Sequence, residues 1–226
     1  MFFTRNRLTL SLWLVCTPLL AQDGLDGFLQ TQAVVKLPIS ETYTHRYQLA
    51  QRFYVTDDIQ GFQLQQIDLS HLSSLKIRDN LNLAVGLMYR FRDSFDRFGT
   101  DEVRLIQHLV LSNRPENTGF VHRWRAEQRI FPDGTLHRLR YRFSVDLPLQ
   151  GQNLNQGESY LVAHTESLLS IGNMHRPQWD QRFTLGLGWL IGKKTVLLNS
   201  LEYRVENFNA DSRKRLFLFT SLNLSL

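Results

Sequence analysis

The sequence predicts an all-β protein: a transmembrane, antiparallel, up-and-down β-barrel of about 10–12 strands. Three observations predict it. Apolar and polar residues alternate with a period of two along most of the chain. The alternating segments run to about ten residues or more, longer than the roughly five or six usual in soluble sheets and matched to the roughly 9–11 that cross a bilayer at a tilt. Beyond residue 21, no apolar run approaches the length of a spanning helix.

The amino terminus reads as an export signal. Arg5 and Arg7 precede an apolar stretch from Leu8 to Leu20, and Leu19 and Ala21 occupy the minus-three and minus-one positions of a cleavage site. The expected organisation is therefore a cleaved signal peptide at 1–21 and one barrel domain at 22–226. The single cysteine, Cys16, falls inside the signal and follows Val15, which excludes a lipoprotein signal and leaves no disulfide or thiol chemistry downstream. Of 26 basic and 21 acidic residues, only Arg5 and Arg7 lie in the signal, so the net charge of +5 shrinks to +3. An excess this mild does not point to nucleic acid.

The strand segments expected are roughly 28–37, 45–55, 62–77, 81–92, 102–112, 120–131, 136–147, 159–169, 182–191, 195–206 and 215–226. In 136–147, Leu139, Tyr141, Phe143, Val145 and Leu147 share one face; Arg138, Arg140, Arg142, Ser144 and Asp146 share the other. A helical reading would leave Tyr141 and Val145 among the arginines, so the strand wins. Segment 81–92 sets Leu81, Leu83, Val85, Leu87, Tyr89 and Phe91 against Asn82, Ala84, Gly86, Met88 and Arg90. In 182–191, Phe183, Leu185, Leu187, Trp189 and Ile191 oppose Arg182, Thr184, Gly186 and Gly188. In 195–206, Leu197, Leu201, Tyr203 and Val205 oppose Ser200, Glu202, Arg204 and Glu206. The last segment collects Leu216, Leu218, Leu222, Leu224 and Leu226 on one face with Thr220.

Turn signals separate these segments at Asp57-Asp58, Arg78 to Asn80, Asn113 to Gly119, Pro132-Asp133-Gly134, Gly151 to Gly157, Gly192 to Lys194 and Asn207 to Ser212. Eleven segments is an odd number, whereas bacterial single-chain barrels carry an even one. The expectation is that one segment is missed near the amino terminus or that the first does not cross.

In a soluble sandwich the apolar faces meet and the polar faces see water; in a membrane barrel the apolar face sees lipid and the polar face lines the interior. Strand length, the final strand and the aromatics favour the second. Tyr47, Phe53, Tyr54, Phe62, Tyr89, Phe91, Phe120, Phe131, Tyr160, Phe183, Trp189 and Tyr203 lie mostly toward segment ends, where interfacial girdles belong.

The polar face is heavily charged. Strand 120–131 contributes Arg123, Arg125, Glu127 and Arg129, and the short turn at Pro132 pairs it with the strand of Arg138, Arg140 and Arg142. His164, Glu166, Arg182, Glu202 and Arg204 join them, with Arg52, Asp68, Lys76, Arg90, Arg92, Glu102, Arg104 and Glu206. Each Lys or Arg facing mid-bilayer lipid would cost roughly 2–4 kcal/mol, so these residues must line the lumen. Such a lumen is either an internal ion-pair network that fixes register or a basic pore attractive to anions.

The run WRAEQRIFPDGTLHRLRYRFSVDLPL, then YLVAHTESLL and WDQRFTLGLGWLI, resembles the bacterial family called domain of unknown function 2490. That family shows an E-Q-R-F run, an R-L-R-Y-R strand ending in proline, a Y-L-x-A-x-x-E strand and an R-x-x-x-G-L-G-Y strand. Here Ile130 replaces the phenylalanine, Trp189 the tyrosine, and the chain ends at Leu226 in place of a terminal phenylalanine. The resemblance covers about the last two-thirds of the chain after residue 21. It implies an exported outer-membrane barrel of Gram-negative bacteria and transfers no catalytic residue.

No catalytic or metal motif stands out among His45, His71, His108, His122, His137, His164 and His175. His164 and Glu166, two apart on the polar face, are the one pair that could act as base and orienter. Gly186 and Gly188 sit within a strand, where they leave room for bulky inward neighbours. No cofactor is expected. The expected partners are outer-membrane lipid, the barrel-assembly machinery during insertion and a small anionic solute. The function expected is a non-enzymatic outer-membrane protein, structural or a narrow gated pore. Alternatives are a soluble periplasmic barrel or sandwich that binds an apolar or anionic ligand, and a barrel enzyme acting on lipid or peptide.

Overall fold

A computed structural model describes residues 25–55, 63–151, 154–172 and 175–226. Eleven strands form among them: β1 (Leu25–Pro38), β2 (Tyr43–Tyr54), β3 (Gln63–Arg78), β4 (Leu81–Phe91), β5 (Glu102–Asn113), β6 (Gly119–Phe131), β7 (Gly134–Pro148), β8 (Ser159–Gly172), β9 (His175–Gly192), β10 (Thr195–Glu206) and β11 (Arg213–Ser225). Every expected segment is a strand, and the largest revision is at β9, which begins well before Arg182. The expected signal segment, the Asp57-Asp58 turn and Phe62 lie outside the described residues.

The sheet closes into a barrel in which each strand pairs with its sequence neighbours. Every such pair is antiparallel, and β1 pairs with β11 in parallel. This corrects the expectation that an odd count marks an error. All eleven segments are strands, and up-and-down winding of an odd number brings the first and last together pointing the same way. Parallel pairing is slightly weaker per residue, but this seam is long, with Leu25 to Lys36 opposite Lys214 to Ser225. It is also packed from within: Phe28 stacks on its direct partner Phe217, ring centroids 4.7 Å apart, and Phe217 is fully buried.

Followed once round the barrel, the register returns to β1 displaced by about 14 residues, which tilts eleven strands roughly 45° from the axis. The bore lies between barrels of roughly eight strands, filled by their own side chains, and channels of roughly sixteen.

The alternation read from sequence divides inside from outside. Leu69, Val85, Leu87, Leu139, Phe183, Leu185, Leu201 and Leu218 are exposed on the outer wall. Asp68, Glu102, Arg104, Glu127, Glu166, Arg182, Glu202 and Arg204 are buried within. Three expected girdle residues lie on the inward side instead: Tyr54 packs against Phe28, Tyr160 lies over Gly188, and Phe131 packs with the Arg129 guanidinium, 5.1 Å from its ring centroid. Gly188 is required there, because a Cβ at that position would come within 2.3 Å of the tyrosine ring.

Candidate functional site: the arginine-lined lumen

The register places guanidinium groups directly opposite one another across neighbouring strands: Arg123 and Arg142, Arg125 and Arg140, Arg104 and Arg129, Arg182 and Arg204. Like charges directly opposite repel, and the carboxylates sit where they offset this. Glu166 is 1 % exposed and accepts from Arg123 at 3.2 Å, Arg142 at 3.0 Å and Arg140 at 2.5 Å, with Arg182 at 3.7 Å. Glu127, equally buried, takes Arg140 at 3.1 Å and pairs with Arg125. Glu102 holds Arg129 through both oxygens, at 2.7 and 2.8 Å, and also pairs with Arg104. Asp68 holds Arg90 in the same two-pronged way, at 2.7 and 2.8 Å. Glu202 pairs with Arg204 and accepts from Thr184 at 2.9 Å. Bidentate arginine–carboxylate contacts of this kind are the strong, geometrically specific form of ion pair.

The arginines form the lining of a cavity of about 730 Å³, and Glu127 and Glu166 lie behind them in the wall. Arg123, Arg125, Arg129, Arg138, Arg140 and Arg142 line it from β6 and β7, and His164, Arg182, Glu202 and Arg204 from β8 to β10. The sequence-predicted residues are thus brought together, but in two layers, with Glu127 and Glu166 beneath the guanidiniums. Lys76 differs from expectation: it lies exposed at a rim, 2.8 Å from Asp79 of the following turn. The carboxylate facing His164 is Glu202, at 3.9 Å, while Glu166 is taken up by arginines, so the two do not form a base and its orienter.

Three lining arginines have only neutral partners among the described residues. Arg46 reaches Gln48 at 3.4 Å, Arg52 reaches Gln30 at 3.0 and 3.1 Å, and Arg138 reaches Ser170 at 2.8 Å. The Nε groups of Arg46, Arg123, Arg140 and Arg182 are buried without a hydrogen-bond partner. The lumen therefore carries more positive charge than its own carboxylates offset. Its lining extends to Arg92, Asn207, Asp211 and Arg213 at the mouth formed by the β4–β5 and β10–β11 loops.

A second feature, not singled out from the sequence, is aromatic. Phe217 and Phe219 alternate inward, and the Arg204 guanidinium lies 3.5 Å from the Phe217 ring centroid, with Arg52 at 5.0 Å. These cation–π contacts hold two arginines in place without neutralising them. The signal was present in the last strand, where the leucines on one face leave phenylalanines on the other.

The chain matches over residues 29–216, from β1 into β11, the family described as Protein of unknown function (DUF2490). It belongs to that family. None of the curated proteins and none of the solved structures compared with the chain matches it. The match to DUF2490 runs across the first strands as well as the later motifs, so it spans the whole ring of strands that carries the lumen charges.

Proposed function

We propose that this DUF2490 barrel is an outer-membrane protein, exported through its amino-terminal signal, whose lumen is a narrow passage for small anions. The observation that carries the reading is the inverted polarity of the wall: leucines and aromatics outside, a surplus of guanidiniums inside. In water the outer wall would expose a continuous apolar belt far larger than the few hundred Å² a soluble monomer usually shows. That weighs against the soluble alternative.

Several polar residues on the outer wall support the same reading, because they bond to one another. Gln107 and Gln128 bond at 3.0 Å, Thr220 and Asn199 at 2.8 Å, His122 and Tyr141 at 2.9 Å, and Ser167 and Gln181 at 2.7 Å. In hydrocarbon an unsatisfied polar group costs several kcal/mol, and these pairs avoid that cost.

The test is electrical. Purified barrel reconstituted in planar bilayers should show single-channel currents whose reversal potential under a KCl gradient marks anion preference. Cation preference, or a barrel extracted from the envelope without detergent, would overturn the proposal.

A further inference from the structure

The surplus charge in the lumen has a definite chemistry. Every basic side chain lining the cavity is arginine or histidine, although the chain also contains lysines. A pore that only raised local anion concentration would be served as well by lysine, a compact point charge; arginine presents a planar fork that grips two oxygens of one oxyanion.

Three of these forks line the cavity from separate walls: Arg52 from β2, Arg138 from β7 and Arg182 from β9. Arg182 repels both Arg52 and Arg138, and Asp68 and Glu127 offset that in part without bonding to either. Arg52 and Arg138 bond only to neutral side chains, and Arg182, 8 % exposed, keeps a buried Nε without a partner and its nearest carboxylate at 3.7 Å. Buried charges that lack a directly bonded counter-charge are costly to hold. A cavity of about 730 Å³ has room for on the order of 20 waters at roughly 30 Å³ each, and so for a hydrated polyatomic anion.

We propose that Arg52, Arg138 and Arg182 form a lumenal binding site for a small, multiply charged oxyanion of the phosphate or pyrophosphate class. One such anion offers enough oxygens to engage two or three forks at once and offsets their mutual repulsion. Chloride, a sphere of single charge, does neither. The site deepens the anion-passage reading and rests on a water-filled, accessible lumen. A bound oxyanion would slow chloride rather than accompany it.

Inorganic pyrophosphate is the probe, with perchlorate as a monovalent oxyanion control at equal ionic strength. Calorimetric titration of the detergent-solubilised barrel, which needs no conductance, should show saturable pyrophosphate binding at least about ten-fold tighter than perchlorate. Pyrophosphate should also block chloride current in bilayers. Equal affinity for the two anions, or no pyrophosphate binding, overturns the site whatever the current does. Binding without any current leaves the site standing and overturns the passage. R52Q/R138Q should lose about ten-fold or more in affinity. If that variant does not fold, R52K/R138K keeps the charge and removes the fork, and unchanged affinity in it overturns the bidentate geometry.

Discussion

Glu166 meets four guanidiniums, more than any other carboxylate among the described residues. Replacing it with glutamine leaves Arg123, Arg140, Arg142 and Arg182 facing one another around a neutral group. Loss of one partner of a buried ion pair costs about 3–5 kcal/mol. E166Q should therefore lower the unfolding free energy in detergent by that order, and an unchanged value would show that water, not the carboxylate, compensates the arginines. Gly188 makes a steric prediction of the same local kind. An alanine there must displace the Tyr160 ring, at a cost of about 1–3 kcal/mol for overpacking. G188A should be destabilised in the native background and substantially relieved when combined with Y160A.

Among the loops, the one between β4 and β5 has the best-defined internal anchors. Asp101 accepts from the amides of Arg92 at 2.8 Å and Asp93 at 3.0 Å, and from the Tyr89 hydroxyl at 2.9 Å. Asp96 holds Arg92 through two contacts, at 3.0 and 2.6 Å, and is bonded by Tyr54 at 3.1 Å. The two backbone amides hold the Asp101 carboxyl below its ordinary pKa. A depressed carboxylate contributes order above its unfolded pKa and loses it as pH falls through the lower, folded value. Hydrogen-exchange protection of the Arg92 and Asp93 amides should then be complete above roughly pH 4 and fade below it. D101A should lack that protection at neutral pH. Protection that survives in D101A would mean the loop is held by Asp96 alone. The turn signals read from sequence did not include this loop, since Asp93 to Asp101 contains one glycine and no proline, and its order comes from carboxylates reaching back to the strand end.

The barrel as a unit predicts opposite tolerances for its two faces. Leu185, 62 % exposed, should reject arginine in lipid vesicles by about 2–4 kcal/mol. Its inward neighbour Thr184 already faces the charged lumen and lines the cavity. Folding free energy measured into vesicles should fall by that amount in L185R. An unchanged value would contradict a lipid-facing outer wall.

The period of two was legible in the sequence because a strand alternates its faces strictly. Leu139, Tyr141 and Phe143 against Arg138, Arg140 and Arg142 therefore determined, without any tertiary contact, which residues share a wall. Strand lengths and most turns followed from the same local chemistry. Closure was not legible: whether eleven strands end in a gap, a missing partner or a parallel seam depends on contacts between residues almost a chain length apart, such as Phe28 and Phe217. Nor could alternation reveal which arginine meets which carboxylate. That depends on register and side-chain direction together: Glu166 meets four guanidiniums, while Glu127, directly opposite Arg138, turns to Arg125 and Arg140 and leaves Arg138 bonded to Ser170, as Arg52 is to Gln30. The sequence by itself determined a barrel with a charged interior; the tertiary structure decided which arginines meet a carboxylate and which do not.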